Sequence, residues 1–195
     1  MIRSIHWAGL FTAPWFLAML FLFGALQPGY SQLHRAVSHL GQFGAAHAFL
    51  WDLLGFFTTG CLIFASGWAL WRRLRAEGRA TQGGIATMVL GAGFALTATP
   101  ANVAMMYASP WTWAHITFAT LTIFLFMWAA FANRRSLTAL GVPDRAARYM
   151  SWTGWLMVAI FLLYFLPFGR EYPGLVQRLT IMTVLAWTSV LNGLL

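Results

Sequence analysis

Acidic residues are scarce in this chain. Its 195 residues include four Asp and Glu against twelve basic residues, and all twelve are Arg, with no Lys. Charged residues make up 8% of the chain, where a soluble domain carries roughly 25%. So little charge cannot cover a soluble surface. The single cysteine, Cys61, rules out an intramolecular disulfide and any Cys-based metal motif, and it reads as a small packing residue. A phosphate-binding Gly loop and a Gly-x-Ser-x-Gly elbow are both missing, which removes the usual signatures of nucleotide binding and of serine hydrolases. No internal repeat is evident, so an inverted-repeat transporter gains no support.

What is present is apolar sequence, 60% of the chain. Several runs reach the ~20 residues needed to cross a bilayer as a helix. Six spans fit, at about 7–26, 45–71, 83–99, 111–131, 149–168 and 175–194. The expected fold class is all-α: one polytopic transmembrane bundle over 1–195, with no separate soluble domain. The first run follows a single Arg3, is too long for a signal-peptide core and lacks a cleavage site, so it reads as a retained helix. The third is short, and Met105-Met106-Tyr107 could extend it beyond a kink at Pro100.

The Arg residues set the expected orientation. Arg3, Arg72, Arg73, Arg75, Arg79, Arg134, Arg135, Arg145 and Arg148 fall on one side of the spans, and Arg35, Arg170 and Arg178 on the other. Nine against three places both termini in the cytoplasm of a cell (inner) membrane. This asymmetry explains the basic balance better than nucleic-acid binding, which is not expected. Membrane lipids are the expected partners, with anionic headgroups at the Arg clusters. Tryptophans at span ends, such as Trp7, Trp68, Trp111 and Trp152, suit interfacial belts.

Against this apolar background the polar residues stand out. Asp52 lies well inside the second span, where a carboxylate costs about 2.5–3.5 kcal/mol on insertion scales and therefore seeks a partner or a cavity. It shares a stripe with Thr59 and Ser66 at seven-residue spacing, nearly two turns. With the topology above, Asp52 lies roughly 10 Å below the outer end of its helix, and His115 and Arg178 roughly 6 Å below theirs. An acid, a histidine and a guanidinium thus fall in one outer layer on three helices. Arg178 is a candidate counter-charge to Asp52, or it snorkels to the headgroups. Ser38, His39, His47 and Asn102 lie near the same level and complete the candidate ligand-binding or polar network. A metal is not expected: His47 and Asp52 are about 140° apart around a helix, and a His39–His115–Asp52 site requires the first outer loop to fold inward. No cofactor is expected either.

The third span carries Gly83, Thr87, Gly91, Ala95 and Thr99 at four-residue spacing. This small face suits close helix packing.

Several motifs together resemble one known family. They are Ser38-His-Leu-Gly in the first outer loop, Gly60 following a polar residue in the second span, and a short Gly-rich third span ending near a Pro. His115 then heads the fourth span, and Gly174-Leu-Val-Gln-Arg-Leu179 opens the last, followed by Trp187. In order and over nearly the whole chain they look like the six-helix prokaryotic membrane family catalogued as domain of unknown function 998. Two positions depart from its expected pattern. Asp52 stands where Asn is expected, and Ala98-Thr99-Pro100 replaces an acid-bearing end of the third span. The resemblance implies the fold but no activity. A more distant likeness is to membrane hydrolases that include alkaline ceramidases, although the paired histidines expected in the last span are missing here.

The leading functional expectation is an outer-leaflet-facing polar pocket that binds an amphiphile or small solute. The alternatives are an intramembrane metal-dependent lipid amide or ester hydrolase and a non-catalytic membrane scaffold.

Overall fold

A computed structural model describes residues 2–102 and 109–195, with side chains described from residue 7. Among the described residues the regular structure is entirely helical. The long helices are α1 (Ile2–Leu26), α2 (Ala48–Ala76), α3 (Gln82–Leu96), α4 (Pro110–Ala139), α5 (Asp144–Leu163) and α6 (Pro173–Gly193). A 3₁₀ turn at Val37–Gly41 and a short helix at Pro167–Glu171 lie in the connections at the end opposite the Arg clusters. All of these helices except α3 contain a stretch long and apolar enough to cross a membrane, beginning at Trp7 in α1.

At 15 residues, α3 is roughly 22 Å long, short of a ~30 Å hydrocarbon core. Its position makes that length workable. Consecutive helices pack side by side, α6 returns to α1, and α3 is held between α2 and α4. The expected continuation through Met105–Tyr107 lies outside the described residues.

The small face of α3 serves two neighbours. A Cβ on Gly91 would lie 2.7 Å from the Gly60 carbonyl of α2 and closer still to the Phe64 backbone, while one on Gly83 would lie 2.5 Å from Ser136 Oγ of α4. Toward α4 the contact is polar. Asn133 Nδ2 donates to Thr87 Oγ1 (2.9 Å), Gly83 O (3.2 Å) and Ala129 O (2.9 Å), and Ser136 Oγ accepts from Gly83 N (3.2 Å). Asn133 and Thr87 are fully buried. Such bonds stabilise helix pairs where lipid offers no hydrophobic driving force.

The bounds of α4 and α5 differ from the sequence expectation. α4 runs on past residue 131 to Ala139 and carries Arg134 and Arg135 within it. It ends at Gly141, whose φ of +75° closes the helix with Gly141 N→Thr138 O (3.1 Å) and Val142 N→Leu137 O (3.0 Å). That paired closure needs a left-handed residue, which glycine supplies without steric penalty. α5 starts earlier, at Asp144, and stops at Leu163, shortly before Pro167. Cys61 is exposed rather than packed.

Candidate functional site

α2 is not a regular helix. Asp52–Phe57 is π-helical, and Thr58 Oγ1 donates to Leu53 O at 2.8 Å. The indole of Trp15 on α1 donates to Leu54 O at 2.7 Å. A wider turn disturbs the i→i−4 ladder, so a side chain from a neighbouring helix can bond its carbonyl; such insertions often mark functional sites. Asp52 opens this segment. It is 8% exposed, and Thr59 and Ser66 below it are fully buried, so the polar stripe does face inward.

The 3₁₀ turn is fixed by α6. Gln177 Oε1 accepts from Val37 N (2.5 Å) and Ser38 N (3.4 Å), satisfying donors at the start of the 3₁₀ turn. Arg178 beside it donates to Gln32 Oε1 through Nε (2.9 Å) and Nη2 (2.5 Å), to Tyr30 Oη (2.6 Å), to Arg35 O (3.1 Å) and to Gly174 O (2.8 Å). Its guanidinium also lies 5.6 Å from the Tyr30 ring centroid. Arg178 is therefore a clamp on the loop between α1 and α2.

The expected Asp52–Arg178 ion pair is not formed. The ion pairs among the described residues are Arg73–Glu77 and Arg148–Asp144. Loop carbonyls and hydroxyls reach Arg178 before Asp52 does, because residues 30–35 fold over the end of α6.

Below the turn lies a cavity of about 290 Å³. Its walls are largely apolar, including Phe56 of α2, Phe94 of α3, Ile116 and Ile123 of α4, Phe161 of α5, and Ile181 and Val184 of α6. Ser38, Thr97, His115, Tyr164, Gln177 and Thr180 bring polar atoms to it. One turn deeper, the buried rings of Phe126 and Trp187 meet edge to face at 5.3 Å.

His115 is the imidazole of this lining. α4 starts at Pro110, which fits the first turn of a helix because it has no N–H to satisfy. His115 then faces the end of α3, with its Nδ1 2.8 Å from Thr99 O. A carbonyl only accepts, so Nδ1 carries the hydrogen, and in the neutral form of the ring Nε2 is the acceptor. The ring also packs edge to face on Phe56, at 6.3 Å. Two more lining hydroxyls are oriented toward each other, Tyr164 Oη and Thr180 Oγ1, 3.4 Å apart. The cavity can therefore accept and donate hydrogen bonds at its polar end while its body offers only van der Waals contact.

The other expected residues surround this cavity without lining it. Asp52 packs under the 3₁₀ turn, and no described residue hydrogen-bonds its carboxylate. His39 is half-buried within the turn, and its Nδ1 is buried without a hydrogen-bond partner. Burial pushes the His39 pKa below its ordinary value, and the nearby Arg35 charge lowers it further. His47 is exposed at the start of α2, its ring 6.2 Å from that of Phe23. Asn102 binds Thr112 Oγ1 through its backbone N–H (2.8 Å) and C=O (3.1 Å). No three His, Cys, Asp or Glu side chains converge among the described residues. Of the expected network, Ser38 and His115 share the cavity. Tyr164 and Thr180 were not anticipated; their only sequence signal is a hydroxyl near the outer end of an apolar span.

Long apolar helices that pack into a closed circuit, with polar groups kept inside, define a polytopic helical membrane protein. The chain belongs to the family described as "Protein of unknown function (DUF998)", which matches residues 10–192. No curated protein and no solved structure matches it.

Proposed function

We propose that the cavity below the outer turn binds an amphiphile or a small lipid-like solute, with its apolar part among Phe94, Ile123 and Ile181 and its polar head at His115, Ser38 and Tyr164. The observation that carries this reading is a cavity of about 290 Å³, near the lower end of ligand-site volumes, with a few oriented polar groups on apolar walls. Ile116 is exposed, and Thr120, Phe161 and Tyr164 are half-buried, so the rim between α4 and α5 offers lateral entry from the surrounding lipid. In this reading Asp52 and His39 position the turn that carries Ser38, and Arg178 holds that turn to α6.

The orientation belongs to the same proposal. Both termini lie in the cytoplasm of a cell membrane, and the cavity opens in the outer leaflet, as the Arg asymmetry supports. Reporter fusions after Arg79 and Arg148 should read cytoplasmic, and one after Pro28 external.

The binding test is mass spectrometry of gently solubilised protein. The wild type should retain a co-purified amphiphile. Ala119→Trp, which fills the cavity, should release it, and His115→Leu should weaken retention while leaving the fold intact by circular dichroism. Equal retention by all three proteins would refute the site.

A further inference from the structure

At the Arg-rich end a second concavity, of about 460 Å³, lies between α4 and α5. It is lined by Phe131 and Arg134 of α4 and by Arg148, Ser151, Trp152 and Trp155 of α5. The helices approach closely at its deep end, where a Cβ on Gly154 would lie 3.2 Å from both Ala130 Cβ and the Phe131 ring. Toward the helix ends each helix contributes one exposed Arg to the groove, Arg134 and Arg148. Arg148 Nη1 is 3.2 Å from Asp144 Oδ2 on its own helix, in an exposed pair, whereas no acid among the described residues pairs with Arg134. The aromatic side of the groove is open. Trp152 is 68% and Trp155 60% exposed, with Phe131 and Trp155 edge to face at 5.5 Å.

We infer that this groove is a binding site for one anionic glycerophospholipid of the cytoplasmic leaflet. The phosphate lies between Arg134 and Arg148, and an acyl chain runs down over Phe131 and Trp155. Three features select this occupant. Two guanidiniums on different helices converge on one groove, and planar guanidinium forks suit phosphate oxygens. Indole rings beside them favour the headgroup level, with the ring body in hydrocarbon. Phe131, Trp152 and Trp155 give the rest of the groove an apolar lining, as a lipid needs and a free phosphate does not. Basic pockets between membrane helices on the cytoplasmic side are general sites for anionic headgroups. The inference rests on the orientation proposed above, but it shares no lining residue with the other cavity.

The test is a titration of purified protein in neutral detergent with phosphatidylglycerol, and separately with phosphatidylcholine, read by thermal stability and by native mass spectrometry. Phosphatidylglycerol should raise Tm and appear as a bound adduct, and phosphatidylcholine should do neither to the same extent. Arg134→Gln/Arg148→Gln should weaken phosphatidylglycerol binding by about thirtyfold, taking each Arg near an anionic headgroup at its typical strength. Arg72→Gln/Arg79→Gln, outside the groove, should leave it unchanged. A brominated phosphatidylglycerol should also quench the wild type more than Trp152→Phe/Trp155→Phe, a readout that does not need the Arg variant to fold. Equal response to both lipids, equal loss in both Arg pairs, or quenching unaffected by the Trp changes would overturn the inference. Free inorganic phosphate reproducing the Tm shift would identify the ligand as the anion alone and would likewise overturn it.

Discussion

Gly41 lies directly against Asp52: a Cβ built on Gly41 would sit 3.0 Å from Oδ2 of Asp52 and closer still to Oδ1. The 3₁₀ turn thus covers a membrane-embedded carboxylate with bare backbone, and the carboxylate in turn sets how deeply the turn can settle. Gly41→Ala should therefore destabilise the protein by about 1–3 kcal/mol, the usual range for overpacking a tight site. Asp52→Ala in the same chain should recover part of the loss by making room. Thermal unfolding in detergent of the two single variants and the double variant measures this. Additive losses would show that the two residues act separately.

Arg178 makes its bonds to the loop and to α6 rather than to Asp52. Bonds to a charged group contribute about 1.5–3 kcal/mol each at most, less where water competes. Arg178→Gln should cost about 2 kcal/mol and raise hydrogen exchange over residues 30–40. A double-mutant cycle between positions 52 and 178 should give a coupling of about 1 kcal/mol or less, carried by the turn that both residues hold rather than by a direct bond. A coupling of several kcal/mol would restore the ion pair read from sequence depth.

The α2–α3 contact leaves no room for a side chain at Gly91. Gly91→Leu must displace the backbone of α2 at Phe64 and should cost more than about 3 kcal/mol or prevent folding. Val89, 39% exposed on the same helix, provides the comparison: Val89→Leu should stay within about 0.5 kcal/mol. Leu90 would not serve, because it is fully buried. Expression level and monodispersity after solubilisation rank the variants.

The 3₁₀ turn should loosen in acid. His39 has a pKa below its ordinary 6.5 in the folded protein, through burial and then Arg35. Between the two values the unfolded chain binds more protons than the folded one, so stability falls as pH drops through that window and is fully present above it. Wild-type Tm should decline below about pH 6.5, and His39→Gln should flatten that part of the profile. An unchanged profile would assign the acid sensitivity to another group.

The sequence by itself determined the architecture. Apolar runs near spanning length leave a backbone in lipid no alternative to helix, and the four-residue spacing of small residues marked the face of α3 that packs. It also marked the ionisable groups that are costly to leave facing lipid, Asp52 and His115. The tertiary structure decided which of them meet. Depth along separate helices put Asp52, His115 and Arg178 in one layer, but depth says nothing about rotation or about loops. The loop at residues 30–41 folds back over the bundle, takes Arg178 for its own carbonyls and hydroxyls, covers Asp52 with Gly41 and brings Ser38 to the cavity beside His115. The π-helical turn at Asp52–Phe57 was equally hidden. It coincides with a bond from Trp15, 39 residues away, and no local pattern encodes a contact at that range.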